Sequence, residues 1–193
     1  TQSRSSAASD VYKRQSVDIW QKYTGSTGLT NPGFEKTIIG QGFDWRHWGE
    51  KEGAWALKRV NDETAEGSYA LKLTFKGQEN MAFHHLYQIF AVIPQEKYRL
   101  TYAWKSRGIT TDQGPFVEIY GYDRRGFYRE GPMITGTHSW HDESIEFEMP
   151  AECHAAVVRL RRRASMRFDA KIRGTVWIDD FRLERIEVPG KTS

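Results

Sequence analysis

Two adjacent carboxylates, Asp179 and Asp180, interrupt an otherwise apolar run near the C-terminus, Gly174-Thr-Val-Trp-Ile-Asp-Asp-Phe-Arg-Leu-Glu184. Neighbouring carboxylates can share a proton and divide acid and base roles between them. The run alternates like a β-strand, however, with Trp177, Phe181 and Leu183 on one parity and Ile178 and Arg182 on the other. Alternation sends Asp179 and Asp180 to opposite faces and argues against a catalytic dyad. Whichever one is buried needs a cation, a basic residue or a cage of hydrogen bonds.

The other reactive side chains do not assemble into a catalytic pattern. His84 and His85 are neighbours on a strand and face opposite ways, so they cannot easily share one metal. His138 and His141 flank Trp140 in a stretch that reads as loop, and Cys153-His154 precedes a strand; neither has zinc-ligand spacing. There is no nucleophile elbow and no phosphate-cradling glycine loop. A pair such as Glu118 with Asp44 or Glu130 could serve glycoside hydrolysis, but the spacing does not select it over other carboxylates.

The elements that must position these groups are short strands. Tyr69, Leu71, Leu73 and Phe75 alternate with Ala70, Lys72 and Thr74, and Ile145, Phe147 and Met149 alternate with Glu146 and Glu148. Ala54 to Val60, Met81 to Ile93, Tyr98 to Ser106, Phe116 to Tyr122, Ala155 to Arg162 and Val176 to Ile186 add further runs rich in aromatic and β-branched residues. Gly, Pro, Asn and Asp punctuate them, as in Lys76-Gly-Gln-Glu-Asn80 and Asp123-Arg-Arg-Gly126. About eight strands without a capped helical stripe predict an all-β sandwich or jelly roll.

A length of 193 residues suits one domain with a substantial core. Aromatics make up 13% of the chain, with 7 Trp and 9 Tyr, enough for a core and an aromatic binding surface. The net charge of +3 permits an acidic partner without demanding nucleic acid. Cys153 is the only cysteine, which excludes an intramolecular disulfide framework and a thiolate metal cage. No apolar run approaches a membrane span.

Residues 1–15 differ from the rest, and Ser5-Ser-Ala-Ala-Ser-Asp-Val-Tyr-Lys-Arg-Gln15 resembles translated sequencing-adapter sequence of the kind found in metagenomic assemblies. Residues 16–28 read as the end of a preceding helical region or a linker, residues 29–187 as the domain and residues 188–193 as a tail. The expectation is the C-terminal piece of a larger bacterial, extracytoplasmic protein whose upstream domain is missing.

Asn31-Pro-Gly-Phe-Glu35, Gly67-Ser-Tyr-Ala-Leu71, Gln88 before Phe90-Ala-Val92, Pro94, Tyr98, Trp140 and Trp177-Ile-Asp-Asp-Phe-Arg-Leu183 occur in an order that resembles the galactose-binding-like jelly rolls of carbohydrate-binding modules found beside bacterial glycoside hydrolases. The resemblance covers Leu29 to Ile186. It implies a structural Ca2+ where the first and last strands meet. Glu35 and one of Asp179 and Asp180, Asp179 first, would be its side-chain ligands, with backbone carbonyls near Asp62 and Gly67 completing a shell of oxygens.

Sugar rings stack on aromatic side chains, and their hydroxyls accept and donate to Asp, Glu, Asn, Gln and Arg. Gly42-Phe-Asp-Trp-Arg-His-Trp-Gly49 offers Asp44, Trp45, Arg46 and Trp48 in one loop, although Trp45 could equally cap an open end of the sandwich. Glu118, Tyr120 and Tyr122 share the polar face of one strand, and His84, Gln88 and Trp104 would line the same groove if their strands were neighbours; Trp104 equally suits the core. Arg159, Arg161 and Arg163 share one side of a strand and either hold acidic-sugar carboxylates or form a solvated outer face. The expected function is non-catalytic binding of an oligo- or polysaccharide, neutral or acidic. A jelly-roll interaction domain without sugar binding is the alternative, and a glycosidase or lyase is third.

Overall fold

The computed structural model describes residues 28–47, 53–122, 126–168 and 170–186. Among these are ten strands and no helix: β1 (Arg46–His47), β2 (Trp55–Val60), β3 (Ala70–Lys76), β4 (Phe83–Ala91), β5 (Lys97–Ile109), β6 (Phe116–Gly121), β7 (Tyr128–Glu130), β8 (Gly136–Glu148), β9 (Ala155–Arg162) and β10 (Arg173–Ile186). They form two five-stranded antiparallel sheets, β1-β4-β9-β6-β7 and β2-β3-β10-β5-β8. The eight expected strands are all present. Sequence reading passes over β1 and β7 because runs of two or three residues carry no period, and it places Trp140 and both flanking histidines in a loop that is the first half of β8.

The core lies between the sheets and follows the period-two pattern: Leu71, Leu73 and Phe75 from β3 and Val117 and Ile119 from β6 face inward, at most 2% exposed. Burying a side chain of this size stabilises the fold by about 1.5–3 kcal/mol each. Of the register shifts that break the alternation, two redirect expected site residues. In β10 the register shifts between Asp179 and Arg182, with Asp180 at φ 50. Ile178 and Phe181 therefore both enter the core while Trp177 pairs with Lys72 and Lys105 on the outer face, which corrects the parity that grouped Trp177 with Phe181 and Leu183. In β4 the register shifts between Phe83 and Leu86, so His84 and Gln88, of equal parity in sequence, lie on opposite faces.

Candidate functional site

The outer face of the first sheet carries its polar residues in register. Tyr87 of β4 lies opposite Arg159 of β9, which lies opposite Glu118 of β6, which lies opposite Glu130 of β7. One step along, Tyr120 lies opposite Tyr128; one step the other way, Phe116 lies opposite Arg161. Non-sequential strands thus bring together two patterns that were separate in the sequence, the arginine row and the Glu118–Tyr120 face. Together with Arg163, Gly121, Gly126 and Phe127 they line a cavity of about 450 Å³.

Glu118 forms its floor and is fully buried. Its Oε1 accepts hydrogen bonds from the Arg159 guanidinium, and Arg161 Nη1 lies 3.6 Å from the same oxygen. The Arg159 guanidinium also lies over the Tyr120 ring, 4.7 Å from its centroid. The pair is thereby held between a cation and a half-buried aromatic plate. Arg161 Nε is buried without a hydrogen-bond partner among the described residues. At the rim, the Tyr128 hydroxyl donates to Glu130, which also pairs with Arg163, while the Arg163 guanidinium lies 4.5 Å from the Phe116 centroid. Burial, hydrogen bonds to Glu130 and Glu118 and the charge of Glu118 all push the Tyr128 phenol upward, with Arg163 opposing, so it remains a donor at any physiological pH. Burial also raises Tyr120, with Arg159 opposing. His84 faces this site. Burial lowers its pKa, and Arg159 and Arg161 lower it further against the opposing charge of Glu118, so it is neutral near pH 7.

Solved structures share this architecture. The carbohydrate-binding module TmCBM61, determined with β-1,4-galactotriose, superposes with a TM-score of 0.54 at 22% identity over 83% of this chain and 99% of that one. The C-terminal family 22 carbohydrate-binding module of Clostridium thermocellum Xyn10B matches with a TM-score of 0.52 at 14% identity over 88% and 98%. The fold is the jelly roll of carbohydrate-binding modules. The same jelly roll matches part of the enzymatically active domain of bacteriophage CBA120 tailspike protein 4, with a TM-score of 0.58 at 14% identity over 83% of this chain and 22% of that one. No family model and no curated protein matches the sequence.

Within this jelly roll, several expected site residues take structural positions. Gln88 points into the core side and clamps Thr30, accepting from its N–H at 3.0 Å and donating to its carbonyl at 2.8 Å. The β4 bulge separates it from His84. Trp45 is 1% exposed, packs on Phe34 and Phe181 with centroids 5.2 and 5.0 Å apart, and donates its indole N–H to the Asn31 carbonyl. Asp44 is buried and turns the same loop by accepting from Ile39 N–H at 2.6 Å and Trp45 N–H at 2.8 Å. Trp104 belongs to the inner face of the second sheet, edge-on to His138 and His141. Arg46 lies opposite Tyr87 on the groove face but at the far edge strand, where it donates to the Gly42 carbonyl. Tyr122 follows the end of β6 and is exposed. Trp48 lies outside the described residues. Tyr87 and Tyr128 are site-face residues that no sequence pattern singles out, and of the two readings of the arginine row the structure puts it on the same face as Glu118.

The carboxylates expected to hold Ca2+ gather around one turn. Asp179 is fully buried, with Oδ2 accepting from the N–H groups of Ala65 (3.0 Å) and Glu66 (3.3 Å) and Oδ1 from that of Asp180 (2.8 Å). Burial raises its pKa, and these three N–H groups oppose the shift. Glu35 Oε1 accepts from Ser68 (2.9 Å) and Tyr69 (3.1 Å), while Arg59 donates to the Phe34 and Glu35 carbonyls. Gly67, at φ +64, is the residue that lets Glu35 approach: a Cβ there would stand 2.3 Å from Oε1. Asp180 departs from the expected set, pairing with Arg182 at 2.7 Å. Asp62 is exposed on the same loop. Among the described residues no three His, Cys, Asp or Glu side chains are grouped as metal ligands, so a cation here would depend on Glu35, Asp179 and backbone carbonyls.

Proposed function

We propose that the groove on the first sheet binds an oligosaccharide, with Tyr120 and Tyr128 supplying stacking surfaces and Arg161 and Glu118 the polar clamps. One observation carries this: a fully buried Glu118 held by Arg159 beneath a cavity walled by two tyrosines, with Arg161 Nε still lacking a partner among the described residues. Buried polar groups without partners are costly, and the hydroxyls of a sugar supply both donors and acceptors. The jelly-roll neighbours include a module solved with a galactose trisaccharide, which agrees with this assignment of class. Among the described residues three arginines face two carboxylates in the groove, Glu118 and Glu130, and that surplus favours a sugar carrying a carboxylate. The domain would act without catalysis, as an extracytoplasmic module joined to a larger protein. No helix among the described residues is long and apolar enough to cross a membrane.

Affinity electrophoresis and calorimetry on neutral and uronate-containing glycans test the proposal. Tyr120→Ala is expected to weaken the best ligand at least tenfold, about 1.4 kcal/mol, with an unchanged melting temperature. No binding to any glycan would favour an interaction domain, and turnover of a glycan would favour an enzyme.

Calcium at Glu35 and Asp179 belongs to the proposal as a structural element of the turn. If it binds, chelation lowers the melting temperature. An unchanged value removes the metal and leaves the N–H groups as the partners of both carboxylates among the described residues.

A further inference from the structure

The outer face of the second sheet carries an unusual ladder. Lys58 of β2 lies opposite Lys72 of β3, which lies opposite Trp177 of β10, which lies opposite Lys105 of β5. Directly opposed side chains on antiparallel strands point the same way, so three lysines and a tryptophan form one row across four strands. Two residues along, Arg107 joins from β5 through its pairing with Thr175. Lys72 Nζ, Lys105 Nζ and the Arg107 guanidinium lie 5.2, 5.7 and 5.2 Å from the centroid of the Trp177 indole. The negative face of the indole explains how like charges can be held this close.

The charges on this half of the sheet are poorly matched. Glu63 pairs with Lys105 at 2.5 Å and Arg107 at 3.5 Å, but Lys58 and Lys72 have no carboxylate partner among the described residues. At the other end of the same sheet the cations are neutralised, by Arg99–Glu146 at 2.6 Å and Lys97–Glu148 at 3.9 Å. Opposed like charges such as Lys58 and Lys72 destabilise a sheet. Their concentration at one end of one face marks a surface built for an external anion.

We propose that this face is a second binding surface, separate from the groove, for an anionic polysaccharide. Two features select that occupant. None of the exposed large apolar side chains among the described residues lies on β2, β3, β5 or β10, so nothing on the face would insert into a bilayer. Trp177 is only 1% exposed beneath its cations and offers no plate for nucleobases. A flat row of ammonium and guanidinium groups instead fits the repeating sulfates or carboxylates of a glycan chain. With the groove on the opposite sheet, a single domain could then engage two polysaccharide segments.

Dextran sulfate is the probe, with unsulfated dextran as the blank. In the Lys58→Gln, Lys72→Gln double variant the glutamine stem at position 72 keeps cover over Trp177, and the melting temperature verifies the fold. Dextran sulfate affinity is expected to fall about tenfold or more, and the slope of log K against log salt by about two. Tyr120→Ala, which addresses the groove, is expected to leave at least half of the dextran sulfate binding sites intact. Unchanged affinity and salt slope in the double variant would overturn the proposal. So would complete loss of dextran sulfate binding in Tyr120→Ala, or tighter retention on phosphatidylglycerol vesicles or duplex DNA than on dextran sulfate.

Discussion

Glu118 and Asp179 are both fully buried carboxylates, yet the molecule satisfies them in different ways. Asp179 is held by backbone N–H groups of the turn at 65–66 and of its own bulge. Such donors are fixed by the fold, and their capacity is consumed by it. Glu118 is held by side-chain guanidiniums at the base of an open groove, where Arg161 stands off at 3.6 Å and its Nε donates to no acceptor among the described residues. The first arrangement closes a structure. The second keeps polar valence available to a ligand. Burial of a carboxylate therefore does not by itself mark function; the identity of its partners does.

Removing Asp179 should cost most. Asp179→Ala strands the Ala65 and Glu66 N–H groups at the clasp and should lower unfolding stability by about 3 kcal/mol, read from urea titration. Glycan affinity of the folded protein should not change, and a loss of affinity at constant fold would break the contrast. Glu118→Gln should cost about 2 kcal/mol, less than for a fully enclosed pair because Arg159 keeps 19% of its side-chain surface exposed. It should also weaken binding by more than tenfold, so that one substitution moves both readouts.

Gly67→Ala sharpens the architectural side. It places a methyl group against Glu35 at positive φ and should cost about 1–2 kcal/mol without touching the groove.

The smallest effect concerns pH. The folded pKa of His84 lies below its ordinary value of 6.5, through burial first and then Arg159 and Arg161. Well above pH 6.5 the imidazole is neutral in both states and stability is unaffected. As pH falls through 6.5, the unfolded chain takes up the proton first, and stability declines until the folded group titrates. His84→Gln should flatten this decline below pH 6.5 in thermal melts, and an unchanged profile would place the pH dependence elsewhere.

Much of this was legible from residue types alone. Alternation located eight strands, and the polar parity of Glu118 and Tyr120 marked the groove strand. The order of Asn31-Pro-Gly-Phe-Glu35 and Trp177-Ile-Asp-Asp brought Glu35 and Asp179 to one turn. Strand adjacency was not legible, because β6 pairs with β9, 34 or more residues away, and no local pattern specifies such a partner. The arginine row therefore remained apart from the face it completes. The bulges were equally silent: one inserted residue reverses parity, which sent Gln88 inward, away from His84, and Trp177 outward, away from Phe181. Trp45 is ambiguous in the sequence for a different reason. An aromatic between glycines suits a binding loop and a core plug equally, and only its contacts with Phe34 and Phe181 decide.

The most direct test is amide and side-chain chemical-shift mapping of the isotopically labelled protein during titration with a uronate-containing oligosaccharide. Saturable shifts should centre on Tyr120, Tyr128 and Arg161, with the Ala65, Glu66 and Asp180 amides at the clasp unmoved. Shifts confined to that clasp, with the groove silent, would contradict the assignment of ligand binding to the Glu118 face.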